Sequence, residues 1–131
     1  MAGDARGHAV INDYRDLSVW KLSMDIAVDI YAETRSFPRE EMFGLTAQMR
    51  RAEVSIPANI AEGFGRAQRK SFAQFLRIAQ GSLKELETHT LLASRVGFLA
   101  SERSQVLGVR YEGLGKMMRS FIRSLEKGTK P

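Results

Sequence analysis

The 131-residue chain has no cysteine, which excludes a disulfide scaffold and any cysteine-ligated zinc or iron–sulfur site and fits a reducing compartment. Proline occurs only at positions 38, 57 and 131, leaving long stretches open to helix. Histidine is as scarce, at His8 and His89. A carboxylate-bridged di-iron site in a helical bundle takes two Glu-x-x-His pairs, and none is present. Glu85 and His89, spaced i,i+4, supply two metal ligands at most, so neither a metal nor a cofactor is expected. Gly63-Phe64-Gly65 does not extend to G-x-G-x-x-G, because position 68 is Gln, and no Gly-Lys-Ser/Thr occurs. One helix-borne histidine does not make a serine–histidine–carboxylate set. No catalytic residues are assigned, and the expectation is a protein that is not an enzyme. No window approaches about 18 consecutive apolar residues, and MAGDARGHAVINDYRD holds no run of signal-peptide length. A cytoplasmic protein without a membrane partner is expected.

What is present is the material of one globular domain, 44% hydrophobic and 27% charged. Four amphipathic segments predict an all-α, up-down antiparallel four-helix bundle over residues 15–127, with flexible tails at 1–14 and 128–131. The first segment, capped by Asp16 or Ser18, turns Leu17, Trp20, Met24, Ala27, Val28 and Tyr31 inward. Arg35-Ser36-Phe37-Pro38 ends it, and Pro38 opens the second segment. That helix buries Leu45, Met49, Ala52, Ile56 and Ile60, is kinked near Pro57 and stops at Gly63 and Gly65. A third helix, opened by Gln68 or Ser71, carries Phe72, Phe75, Leu76, Ala79, Leu83, Leu86, Thr90 and Ala93 inward and ends at Gly97. Gly81 and Ser82 fall in its middle, where glycine costs about 1 kcal/mol against alanine; close approach of a neighbouring helix is the expected compensation. The fourth, from about Ser101, with Ser104 as the alternative cap, buries Leu107, Tyr111, Leu114, Met118, Phe121 and Leu125.

Two polar patterns stand out. Gln48, Arg51, Ser55, Asn59 and Glu62 recur at threes and fours beside the apolar stripe of the second helix. Serine and asparagine are poor helix formers, so the expectation is a structural polar seam, with a binding groove as the functional alternative. Charge is also lopsided. Residues 1–49 carry 5 Lys+Arg and 8 Asp+Glu, net −3, whereas residues 50–131 carry 15 and 7, net +8. Arg66, Arg69, Lys70 and Arg77 gather around the second turn. Arg110, Lys116, Arg119, Arg123, Lys127 and Lys130 crowd the last helix, where Lys116, Arg119, Arg123 and Lys127 share one face. Such a face suits phosphate contacts, and the near absence of aromatics from it disfavours base stacking. A merely solubilising face is the alternative.

Three segments resemble a known family. DLSVWKLSMDIAVDIY (16–31), FPREEMFGLTAQMRRAEVSIPANIAEGFGR (37–66) and FAQFLRIAQGSLKELETHTLLASRVGFL (72–99) are similar, in order and spacing, to the four-helix-bundle proteins encoded by intervening sequences of 23S ribosomal RNA genes, older label S23 ribosomal proteins. The resemblance covers about residues 13–127. It implies a four-helix protomer assembling into a homopentameric ring, without an established biochemical function. A related branch is the accessory protein of diversity-generating retroelements, implying nucleic acid and a reverse transcriptase as partners. The motif positions matched here are Trp20, Gly44, Leu45, Gln48, Arg50, Arg51, Ser55, Pro57, Asn59, Glu62, Gly63, Gly81, Ser82, Glu85 and Glu87, and they read as mostly architectural. The functional expectation is a homo-oligomer binding RNA or DNA through Arg66, Arg69, Lys70, Arg77, Lys116, Arg119, Arg123 and Lys127. The alternative is a protein–protein adaptor, for example for a reverse transcriptase.

Overall fold

The computed structural model describes residues 11–128, and every described regular element is helical. The four helices are α1 (Ser18–Thr34), α2 (Leu45–Gly65), α3 (Arg69–Arg95) and α4 (Ser101–Glu126), with 3₁₀ turns at Tyr14–Asp16 and Arg39–Glu41. Each packs on its neighbours in chain order, and α1 closes the ring against α4. This is the four-helix bundle that the periodicity predicts. Of the tails, residues 1–10 and 129–131, and with them His8 and Lys130, lie outside the described residues. Ile11 and Tyr14 pack against the core, and Tyr14 meets Trp20 edge-on at 5.3 Å.

The inward stripes of α2, α3 and α4 fall where expected. Met49, Ala52, Ile56 and Ile60 meet Leu76, Ala79, Leu83 and Leu86 and then Leu107, Leu114 and Met118 in one buried core. Phe75 and Phe121 are only half-buried, and Ile122 takes a core position beside Phe121. On α1 the expected face is wrong. Val19, Ser23, Ile26, Ile30 and Thr34 are buried, whereas Met24, Val28 and Tyr31 are exposed. The segment offers two apolar stripes, and the buried one uses Ser23 and Thr34, whose hydroxyls donate to the carbonyls of Trp20 and Ile30 and so enter the core satisfied.

The ends of the helices also depart from expectation. Asp13 caps the 3₁₀ turn ahead of α1, whose own cap position is Leu17. Pro38 leads into a 3₁₀ turn, and α2 begins only at Leu45, where the Glu41 carboxylate accepts from the Leu45 amide at 3.0 Å. Pro57, by contrast, is buried inside α2, which continues through it as one helix, as expected. The helix ends at Gly65, as expected, whereas Gly63 lies two residues before that end, where a Cβ would stand 2.7 Å from the Phe75 Cβ and 2.9 Å from the Phe72 Cδ1, so its lack of a side chain lets α3 cross close to α2. The turn into α3 is made by Ala67 at φ 58, with Gln68 as the cap of α3. Gly97, at φ 85, ends α3 as expected.

Candidate nucleic-acid interface

The antiparallel arrangement brings the end of α2, the start of α3 and the end of α4 to one end of the bundle. Arg77 of α3 pairs with Glu126 of α4, an ion pair between the early turns of α3 and the last turn of α4. A groove of about 710 Å³ runs there, with Arg69, Lys70 and Arg77 along it. A second groove of about 620 Å³ lies between the middles of α3 and α4 and takes in Lys84, Lys116 and Arg119.

The eight basic residues singled out from the sequence divide into two classes. Arg66 is held by Glu62 at 3.1 Å and lies over the Phe75 ring at 5.1 Å; Arg77 is held by Glu126, and Lys116 by Glu112 at 3.3 Å. Their charge is largely cancelled. Arg69, Lys70, Arg119, Arg123 and Lys127 are exposed and have no carboxylate partner among the described residues. Arg110, part of the same run in the sequence, pairs with Asp29 of α1 and ties α1 to α4, as Arg103 does through Glu33. Position along a helix therefore separates structural arginines, opposite the acidic α1, from uncompensated ones beyond its reach.

The polar stripe on α2 is only in part a seam. Ser55 shares a hydrogen bond of 2.8 Å with Ser82 of α3, and the Asn59 amide donates to the Ser55 hydroxyl and carbonyl. These three form a half-buried polar contact that sets the register of α2 on α3. Gln48, Arg51 and Glu62 are exposed and take no part in it, Glu62 turning to Arg66. Ser82 repays its place in α3 through this contact. Gly81 does not: it is exposed, and a Cβ there meets nothing within 4 Å, so no neighbouring helix of the protomer approaches it.

Glu53 escaped the sequence reading. Its residue is 0% exposed, and neither carboxylate oxygen has a hydrogen-bond partner; burial pushes its pKa up to about 9. It is uncharged at neutral pH. The signal was available, since Glu53 stands four residues after Met49 and three before Ile56, on the apolar stripe itself. Its neighbourhood includes Tyr111, whose hydroxyl shares a 2.8 Å hydrogen bond with Thr90 and whose pKa burial also raises. His89 has a buried Nδ1 without a partner, and no group of three His, Asp or Glu side chains gathers among the described residues to hold a metal ion. Nor is any described helix long and apolar enough to cross a membrane.

The helical pattern and the motif run on α2 are matched by known proteins. The model of the family described as 23S rRNA-intervening sequence protein matches residues 15–120. The crystal structure of a protein with unknown function from the S23 ribosomal protein family of Bacteroides thetaiotaomicron is similar throughout, at 26% identity and a TM-score of 0.74. The match covers 80% of this chain and 95% of that one. No functionally curated protein matches the chain. With most of its length under the family model and the same fold in a solved relative, the chain belongs to the 23S rRNA-intervening sequence protein family.

Proposed function

We propose that the protein is a non-enzymatic, homo-oligomeric helical bundle that binds nucleic acid, RNA or DNA, through the basic end formed by α3 and α4. The observation that carries this reading is the set Arg69, Lys70, Arg119, Arg123 and Lys127: exposed, without carboxylate partners, and contributed by two helices that α3–α4 packing holds side by side. Charges left uncompensated on a rigid platform contact phosphates and position the duplex or strand without reading its sequence. The scarcity of exposed aromatics there points away from base stacking.

Self-association is supported by apolar surface elsewhere. Val28 is 69% exposed and Val109 73%, and they flank in sequence the Asp29–Arg110 ion pair where α1 and α4 meet; Leu91 and Val106 are exposed as well. Aliphatic side chains in such number suit contact with further copies in a ring, the homopentamer being the assembly the family resemblance implies. The same surface supports the alternative, an adaptor that seats a protein such as a reverse transcriptase.

Electrophoretic shift of a ribosomal RNA fragment and of duplex DNA, each at two salt concentrations, tests the reading. Binding is expected to fall steeply as salt rises, and Arg119→Glu with Arg123→Glu is expected to weaken it at least about tenfold while the helical circular dichroism stays unchanged. Equal binding by the double variant contradicts the nucleic-acid role and leaves the adaptor as the better reading.

A further inference from the structure

The opposite end of the bundle carries a second cationic feature, unrelated to the basic platform. Between the end of α1 and the start of α2 lies an open pocket of about 370 Å³. Arg35, Arg39 and Arg50 line it, and no acidic residue does. In the two grooves on α3 and α4 the cations share the lining with Glu87 and Glu112 or with Glu126. Of the acids nearby, Glu33 holds Arg103 and Glu41 caps α2 at Leu45, while Glu40 is exposed and lies outside the lining.

The arginine at the centre is held in place. Arg50 Nε donates to the Thr34 hydroxyl at 2.9 Å, that hydroxyl donates onward to the Ile30 carbonyl at 2.7 Å, and the guanidinium lies 4.6 Å from the centre of the Tyr31 ring. Its Nε is thereby occupied, while none of its nitrogens meets a carboxylate among the described residues. A second polar group completes the set. Thr46, 6% exposed, lines the same pocket, and its hydroxyl makes no hydrogen bond with the described residues. A nearly buried hydroxyl beside three guanidinium groups that meet no carboxylate among the described residues is a set of donors suited to an anion.

We propose that this pocket binds a phosphate monoester. The doubly charged phosphate accepts from Arg50, Arg35 and Arg39, whose planar forks match its oxygens, and from the Thr46 hydroxyl, while the apolar wall of Phe37 and Met42 takes the organic body. The ester is either a small free molecule or the phosphorylated end of a nucleic acid.

Calorimetric titration of the full chain with inorganic phosphate, ionic strength held constant with sodium chloride, tests the site. Saturable binding at one site per chain is expected. Arg50→Lys keeps the charge but loses the fork and is expected to weaken it at least about tenfold; the exposed pair Arg35→Gln/Arg39→Gln, which leaves the core untouched, is expected to do the same. Lys21→Gln, which removes an exposed cation of α1 outside both this pocket and the nucleic-acid platform, is expected to leave phosphate binding unchanged. A 5′-phosphorylated dinucleotide that binds at least about tenfold tighter than phosphate assigns the site to nucleic-acid ends, and equal affinity assigns it to a small free ester. Absence of saturable binding, unchanged affinity in the Arg35/Arg39 variant, or a 5′-hydroxyl dinucleotide binding as well as its phosphorylated form overturns the proposal.

Discussion

Glu53 is the residue at which local chemistry is most at odds with its surroundings. A carboxyl group titrates near 4.5 when the chain is unfolded and is pushed up to about 9 by burial in the folded protein. Between those values the folded state holds a proton that the unfolded state has released. The stability tied to that proton is therefore complete below the unfolded pKa and is lost as pH rises toward the folded one, by up to about 1.4 kcal/mol per pH unit. Glu53→Met fills similar volume without an ionisable group. Urea unfolding of the variant is expected to be nearly independent of pH between about pH 6 and pH 8.5, while the native sequence loses stability across the same interval. Parallel pH profiles would show that the carboxyl is solvated or paired in solution.

At the scale of the helices, glycine has opposite meanings at two positions. Gly63→Ala drives a methyl group into Phe75 and Phe72 across the α2–α3 contact and is expected to cost roughly 1–3 kcal/mol in chemical denaturation. Gly81→Ala adds a methyl group to open surface of α3, so the isolated protomer is expected to gain about 1 kcal/mol from helix propensity. If Gly81 instead lies where copies meet, the same substitution lowers the assembled fraction in sedimentation. How much of these elements was legible follows from the kind of signal each carries. The stripes of α2, α3 and α4 were legible because Met49, Leu76 and Leu114 leave one way to turn each helix. The face of α1 was not, because Val28 and Ile30 are equally apolar. Ser23 and Thr34 satisfy their hydroxyls on carbonyls of their own helix, which lets either face be buried, so the choice is made by packing against α2 and α4. Gly63 was taken for a helix stop because contact with Phe75, twelve residues on, is a property of α2–α3 packing rather than of the local sequence.

For the molecule as a whole, the sequence announced its charge asymmetry but not which charges remain uncompensated. Arg110 and Arg123 look alike along α4; packing gives the first to Asp29 and leaves the second unpaired among the described residues. Likewise Arg35 and Arg39 lie in the stretch 1–49, whose net charge is negative, with Arg50 just after it, and only the α1–α2 turn gathers the three around one pocket. Whether the basic end grips phosphates is read from the salt dependence of nucleic-acid affinity, with the slope of log K against log salt compared between the native sequence and Arg119→Gln/Arg123→Gln. Two phosphate contacts at these positions predict that the variant's slope is shallower by roughly 2. Equal slopes, or an affinity in the native sequence that salt does not alter, would contradict it.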